Sequence, residues 1–382
     1  VLRRAVRFGK LLGIQDAFMG QMIDVVIQMM KPAYPELVDK QAFIKKVAGV
    51  EEERFHTTLN AGCDLLSEML EDTKKKQQTI LSGDQVFKLY DTYGFPWELT
   101  DEIAKEQGLT IDEKGFEAAM AEQKERARAA KVSAKVATPD TTKLDAKELT
   151  TEDKDGETKL LLLGQDGKEI VSAADGTEVT VVLKNNPFHA EGGGQIGDSG
   201  TIVGEEGTIQ VEDTKKLPDG IVYVIGTVSE GIIREGETVT VTVDRVRRED
   251  IARNHTGTHM LQAALRRVLG DQVNQAGSLV LPDRLRFDFT WPEPLSEKQL
   301  AAVEQIVNEE ILKATPVDIR EMPIEEAKKS GAMALFGEKY GDVVRVVSIP
   351  GYSKELCGGS HVKNVGEIGS FRLLSEGGIG SG

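Results

Sequence analysis

Cysteine and histidine are scarce in this chain: two of the first and five of the second among 382 residues. Two thiols in different contexts give no disulfide framework, so stability must come from packed cores, and a reducing compartment is expected. No apolar stretch approaches the roughly 20 residues that span a bilayer as a helix, and no secretory leader opens the chain. No membrane partner is expected, and the expected location is cytoplasmic. No internal repeat is apparent. Positive charge is also short: 47 Lys and Arg against 63 Asp and Glu leave −16, which at face value disfavours a nucleic-acid partner. Three local clusters weigh against that total. Arg3, Arg4, Arg7 and Lys10 stand with no acid among the first thirteen residues, Lys124, Arg126, Arg128, Lys131 and Lys135 lie along an expected helix, and Arg245, Arg247, Arg248 and Arg253 crowd a second one. Phosphate contacts need only local positive potential, so RNA stays open.

What little histidine and cysteine there is falls together. Three of the five histidines and one of the two cysteines lie in His255-Thr256-Gly257-Thr258-His259 and Cys357-Gly358-Gly359-Ser360-His361. Ile251, His255, Thr258, Leu261, Leu265 and Val268 recur at helical spacing, predicting one helix over 244–269 stopped by Gly270. Side chains four apart on a helix lie roughly 5–6 Å from each other, so two imidazoles can share one ion. A Cys-x-x-x-His turn with two internal glycines adds a thiolate and a third imidazole. The set suits one Zn2+ ion, and a position open to water would make the site hydrolytic.

The expected architecture is multidomain α+β, in four segments. Residues 1–135 read as all-helical: Met19 to Met30 is densely apolar, Phe55, Leu59, Cys63, Leu66 and Leu70 form a stripe, and Thr100 is an expected cap after the break at Tyr93-Gly94-Phe95-Pro96. Cys63, on that stripe, reads as a core thiol, and nothing pairs with His56. Residues 136–156 read as a linker. Short β-branched runs over 157–244, with Asp-Gly turns, predict a small antiparallel barrel. Residues 245–382 mix helices with strands at 285–289 and 343–349. The chain starts at Val1 and stops within a Gly-rich run, so a piece of a longer protein is expected.

With these residues in view, the chain resembles the alanyl-tRNA synthetase family. The two histidine motifs resemble its editing domain, which free-standing alanyl-tRNA editing proteins and threonyl-tRNA synthetase share. Asn186 to Asp198, containing Gly192-Gly193-Gly194-Gln195, resembles the glycine-rich segment of the barrel ahead of that domain. Leu89 to Pro96 and Leu2 to Arg7 resemble the family's tRNA-recognition domain. The order agrees and covers nearly the whole chain. Thr256-Gly257, Ser360 and Gly192 depart from the common pattern without removing a candidate ligand.

The resemblance implies an editing hydrolase that binds tRNA(Ala) and cleaves the ester of its seryl and glycyl mischarged forms, a discrimination that a synthetic pocket alone does not achieve. His255, His259, Cys357 and His361 would hold zinc, as activator or as anchor. ATP and Mg2+ would belong to an aminoacylation domain lying before residue 1. Gln195 is a catalytic candidate, positioning water, or else a surface amide on a barrel turn. Thr258 either binds the substrate hydroxyl or bonds back to its own helix. Asp91 either reads a G·U pair from the minor groove or caps a helix break. Arg3, Arg4 and Arg7 are candidate tRNA contacts, and His189 either approaches the site or lies on the surface. Two rivals remain: an RNA-binding module with a structural zinc, and a metallopeptidase, which the lack of a glutamate at Thr256 disfavours. Oligomeric state stays open.

Overall fold

The computed structural model describes residues 2–14, 16–129, 137–334 and 340–378, the side chains of 11, 57–61 and 124–129 excepted. The side chains of Leu59, Lys124, Arg126 and Arg128, and all of Lys131 and Lys135, therefore lie outside the described residues, while the helix expected for the basic run is described over Glu113–Ala129. The chain divides into two compact units, one built mainly from residues 1–134 and the other from 135–291 with 295–376. No described helix is long and apolar enough to cross a membrane.

The first unit is dominated by helices, including Leu2–Leu11, Met19–Met30, the 35-residue Gln41–Lys75, Gly83–Tyr93 and Trp97–Glu106. It is not purely helical. Ile80–Leu81 pairs in parallel with Thr110–Ile111, two strands too short to leave a periodic signal. Phe55, Leu66, Leu70, Leu89 and Phe95 fill the core, and Cys63 packs against it. Thr100 does not cap a helix. The fixed φ of Pro96 starts the helix at Trp97, which leaves Thr100 buried inside it.

In the second unit six strands close an antiparallel barrel in the order Glu206–Lys216, Gly200–Val203, Thr238–Val243, Gly156–Gln165, Glu178–Leu183, Val222–Arg234 and back to Glu206–Lys216. Closure follows from side-chain period: Val239, Val241 and Val243 point inward between exposed threonines, onto Leu160, Val181, Ile202 and Val224. Residues 137–151, expected as a linker, form part of this unit. Leu144, Ala146 and Leu149 pack on a second face of the barrel against Leu162, Val182 and Tyr223, and Thr150–Thr151 pairs with Asn185–Asn186.

The predicted histidine helix runs from Arg245 to Leu269, with Asp244 capping Arg247 N. Its apolar side packs on the helix Glu297–Leu312 through Leu261, Leu265, Val303 and Val307. The sheet of Asp318–Pro323, Val343–Ile349 and Ser353–Leu356 carries the chain to Cys357. The arginines at the start of the helix are ties rather than a free basic patch. Arg245 meets Asp153 and Asp155, Arg247 donates to Gly197 O, and Arg248 bonds Asp198 and Pro187 O.

Candidate metal centre

His255, His259, Cys357 and His361 converge, with their ligand atoms all within 4.8 Å of one another. Cys357 Sγ lies 3.3 Å from His255 Nε2 and 3.3 Å from His361 Nε2. A tetrahedral ion with metal–sulfur and metal–nitrogen bonds of about 2.3 and 2.0–2.1 Å would set such edges at about 3.5 Å. Geometry and donor chemistry both fit a metal ion.

The outer nitrogen of each ring is also accounted for. His255 Nδ1 donates to Gln195 Oε1 at 2.7 Å, and since a carbonyl oxygen only accepts, the Nε2 lone pair is left facing inward. His361 Nδ1 is 3.1 Å from Thr256 Oγ1, and His259 Nδ1 is 3.6 Å from Glu355 Oε2. Such outer partners fix tautomer and ring direction before an ion arrives. Burial pushes the Cys357 thiol up, but hydrogen bonding to His255, His259 and His361 outweighs it and holds the thiol well below its ordinary range. Burial opposes charge on His259, yet Glu355 and then Cys357 raise it to about 9, whereas burial, aided by His255 and His259, presses His361 down to about 3.

The ligand turn is tightly held. Arg345 Nη1 donates to Cys357 O at 2.9 Å and Gly359 O at 2.7 Å, while Cys357 N returns a bond to Arg345 O. Of the two glycines, only Gly359 is sterically required: a Cβ there would sit 2.1 Å from His255 Cε1. Gly359→Ala is therefore expected to keep the fold and weaken metal affinity at least about tenfold, as losses of ring-orienting contacts do. Competition against a chromophoric chelator measures it.

Cavities flank this turn. One of about 650 Å³ is lined by His255, Thr258, His259, Gln262, Glu355 and Cys357, and another of about 590 Å³ by Arg248, Arg345, Ser360 and His361. His189 lines both, and burial lowers its pKa.

The family model for tRNA synthetases class II (A) matches residues 1–247. The chain belongs to that synthetase family. A second model, the threonyl and alanyl tRNA synthetase second additional domain, matches residues 344–382 of this synthetase chain, the part that supplies Cys357 and His361. It is 48% identical over 389 residues to the alanine--tRNA ligase of Bacillus velezensis and 48% identical over 387 residues to that of a Listeria monocytogenes strain. A relative of the same name from Alkaliphilus oremlandii is also 48% identical. All of this chain aligns, and it spans 44% of the length of each of these relatives.

The other residues singled out in this synthetase sequence lie elsewhere or act differently. Gln195 is fully buried and lines neither cavity: Oε1 accepts from His255 and from Ser360 N at 2.8 Å, and Nε2 donates to Ser360 Oγ at 3.1 Å. It is therefore no surface amide. The turn carrying it needs Gly194, whose φ is +85° and whose Cβ would meet Ser278 Oγ at 2.2 Å. Thr258 lines the larger cavity, with its proton donated to Asn254 O at 2.9 Å. In the first unit Asp91 is exposed and accepts from Gln123 Nε2 at 2.5 Å, without capping a helix break. Arg3 bonds Glu51 and Gly94 O, Arg7 is buried against Glu106, and Arg4, paired with Glu102, keeps an exposed guanidinium. Thr256, Glu355, Arg345 and Gln262 were missed. The available signals were polar side chains on the buried face of an amphipathic helix, and the period of two that aligns Ser353, Glu355 and Cys357.

Proposed function

We propose that this chain is the tRNA-recognising and editing portion of an alanine--tRNA ligase. It hydrolyses the ester of seryl- and glycyl-tRNA(Ala) beside one zinc ion held by His255, His259, Cys357 and His361. The observation carrying this reading is the position of the donor set. It forms part of a cavity wall, with Cys357 and His361 half-buried, rather than lying sealed in a core. The relatives' name, alanine--tRNA ligase, and the second additional domain over 344–382 support the substrate class.

When bound, zinc would supply Lewis acidity that polarises an ester carbonyl or lowers the pKa of a water. The chain's own residues prepare the ground for it. Gln195, Thr256 and Glu355 orient the three rings toward one point. Gln195 is thus assigned as a positioning residue that also binds the ligand turn through Ser360. Thr258 offers an acceptor lone pair to the aminoacyl group, since its proton is already engaged. Asp91 and the exposed Arg4 are assigned to tRNA contact, and Arg3 and Arg7 to holding the helices that present them. ATP- and Mg2+-dependent ligation is assigned to the part of the relatives outside the 44% spanned here. A cytoplasmic location accompanies this reading.

One observation favours a second reading. Four protein donors complete a tetrahedral shell, which suits an ion that anchors rather than activates. Incubation of the chain with seryl-, glycyl- and alanyl-tRNA(Ala) tests editing directly. Serine and glycine are expected to be released at least about tenfold faster than alanine. Bound zinc without serine release above the uncatalysed rate would contradict it and leave an RNA-binding module with a structural metal.

A further inference from the structure

The helix that carries His255, Thr258 and His259 on its cavity-facing stripe continues that stripe one turn further, to Gln262. Gln262 is 6% exposed, and its Oε1 has no hydrogen-bond partner among the described residues. The amide's orientation is set from the other side. Nε2 lies 3.9 Å from Met333 Sδ, and a thioether sulfur accepts but does not donate, so nitrogen belongs there and the oxygen, itself buried, on the opposite side of the amide. Around it the neighbouring polar groups already have partners: Glu355 Oε1 receives Ser353 Oγ at 2.8 Å, and Thr258 Oγ1 donates to Asn254 O. Gln262 thus lines the same cavity as the metal ligands and holds a buried neutral acceptor that has no partner among the described residues.

We propose that Gln262 is a specificity-determining residue, accepting a hydrogen bond from the β-hydroxyl of a seryl group held in this cavity. The assignment rests on the editing reading above and adds the source of its selectivity. A buried acceptor left unpaired is penalised, and a ligand that fills the space without a donor keeps it unpaired. A seryl hydroxyl removes the penalty. A glycyl group leaves room for a water to do the same, while an alanyl methyl excludes the water and offers nothing in return. Selection for serine and tolerance of glycine, with rejection of alanine, follow from one unpartnered oxygen. Thr258, whose proton stays on Asn254 O, can add an acceptor lone pair to the same hydroxyl, but it is not the unpaired group that substrate relieves.

The test uses the whole chain and adenosine ends carrying serine or alanine through a non-hydrolysable amide, with binding measured by calorimetry. Gln262→Met keeps volume and removes the acceptor, and Gln262→Leu serves if the first variant unfolds. Zinc content and thermal unfolding serve as controls. The unsubstituted chain is expected to prefer the seryl analogue about tenfold, and the variants less than about twofold. A preference that survives in a folded variant, or no preference in the unsubstituted chain, overturns the assignment. Parallel ester hydrolysis separates the two readings. A Gln262-dependent preference without hydrolysis leaves the assignment standing and removes editing, and serine release with a preference indifferent to Gln262 does the reverse.

Discussion

Cys357→Ala is expected to reduce bound zinc to under about a tenth of one ion per chain and to lower serine release by about a thousandfold, with the secondary structure retained. The thiolate is the hub of the cluster: its sulfur touches His255 and His361, and its low proton affinity is set by the three imidazoles around it. Without it the remaining donors are three rings whose centroids lie 4.5 to 5.5 Å apart and no longer share an anion. The barrel core and the packing of the histidine helix on its neighbour do not involve this sulfur, so the fold is expected to persist. Metal analysis, and the thiolate-to-cobalt absorption band of the Co2+-loaded chain, measure the effect. A variant that still binds zinc stoichiometrically would show that Cys357 is no ligand.

Arg248→Met should lower the stability of the second unit by about 3–5 kcal/mol, because it strands a buried carboxylate. Asp198 is 1% exposed, takes Arg248 Nε at 2.8 Å and a second guanidinium nitrogen, and otherwise accepts from His189 N at 2.6 Å. Arg248 also donates to Pro187 O, so one side chain fastens the start of the histidine helix to the glycine-rich segment. For a unit of this size the melting temperature should fall by roughly 6–15 °C. Adding Asp198→Asn should recover part of the loss, since the stranded charge goes. Loss under about 1 kcal/mol would assign the tie a minor role.

Much of this was legible in the chain. The convergence of His255, His259, Cys357 and His361 followed from His-x-x-x-His on a helical period and from a second motif with a scarce cysteine, because metal chemistry constrains both residue type and spacing. The barrel followed from strict alternation, clearest over Thr238–Val243. Short elements were not legible: Gly200–Val203 is four residues long, and the strap over 137–151 has only Leu144, Ala146 and Leu149 as apolar anchors, without a period. Nor could the arginine clusters be sorted from sequence. The acids that neutralise Arg4 and Arg7 lie 98 and 99 residues away, and nothing local distinguishes a tie from an RNA contact. Gln195 was singled out for its glycine-rich neighbourhood, but its role as a ring orienter depends on His255 and Ser360 meeting it from 60 and 165 residues away.

The measurement that bears most directly on the central claim is serine release from seryl-tRNA(Ala) as zinc is withdrawn from this chain and restored. The expected rate is proportional to zinc occupancy, recovered on restoration and about a thousandfold lower in Cys357→Ala. Full hydrolysis by the zinc-depleted chain, or full occupancy with no hydrolysis, would contradict it.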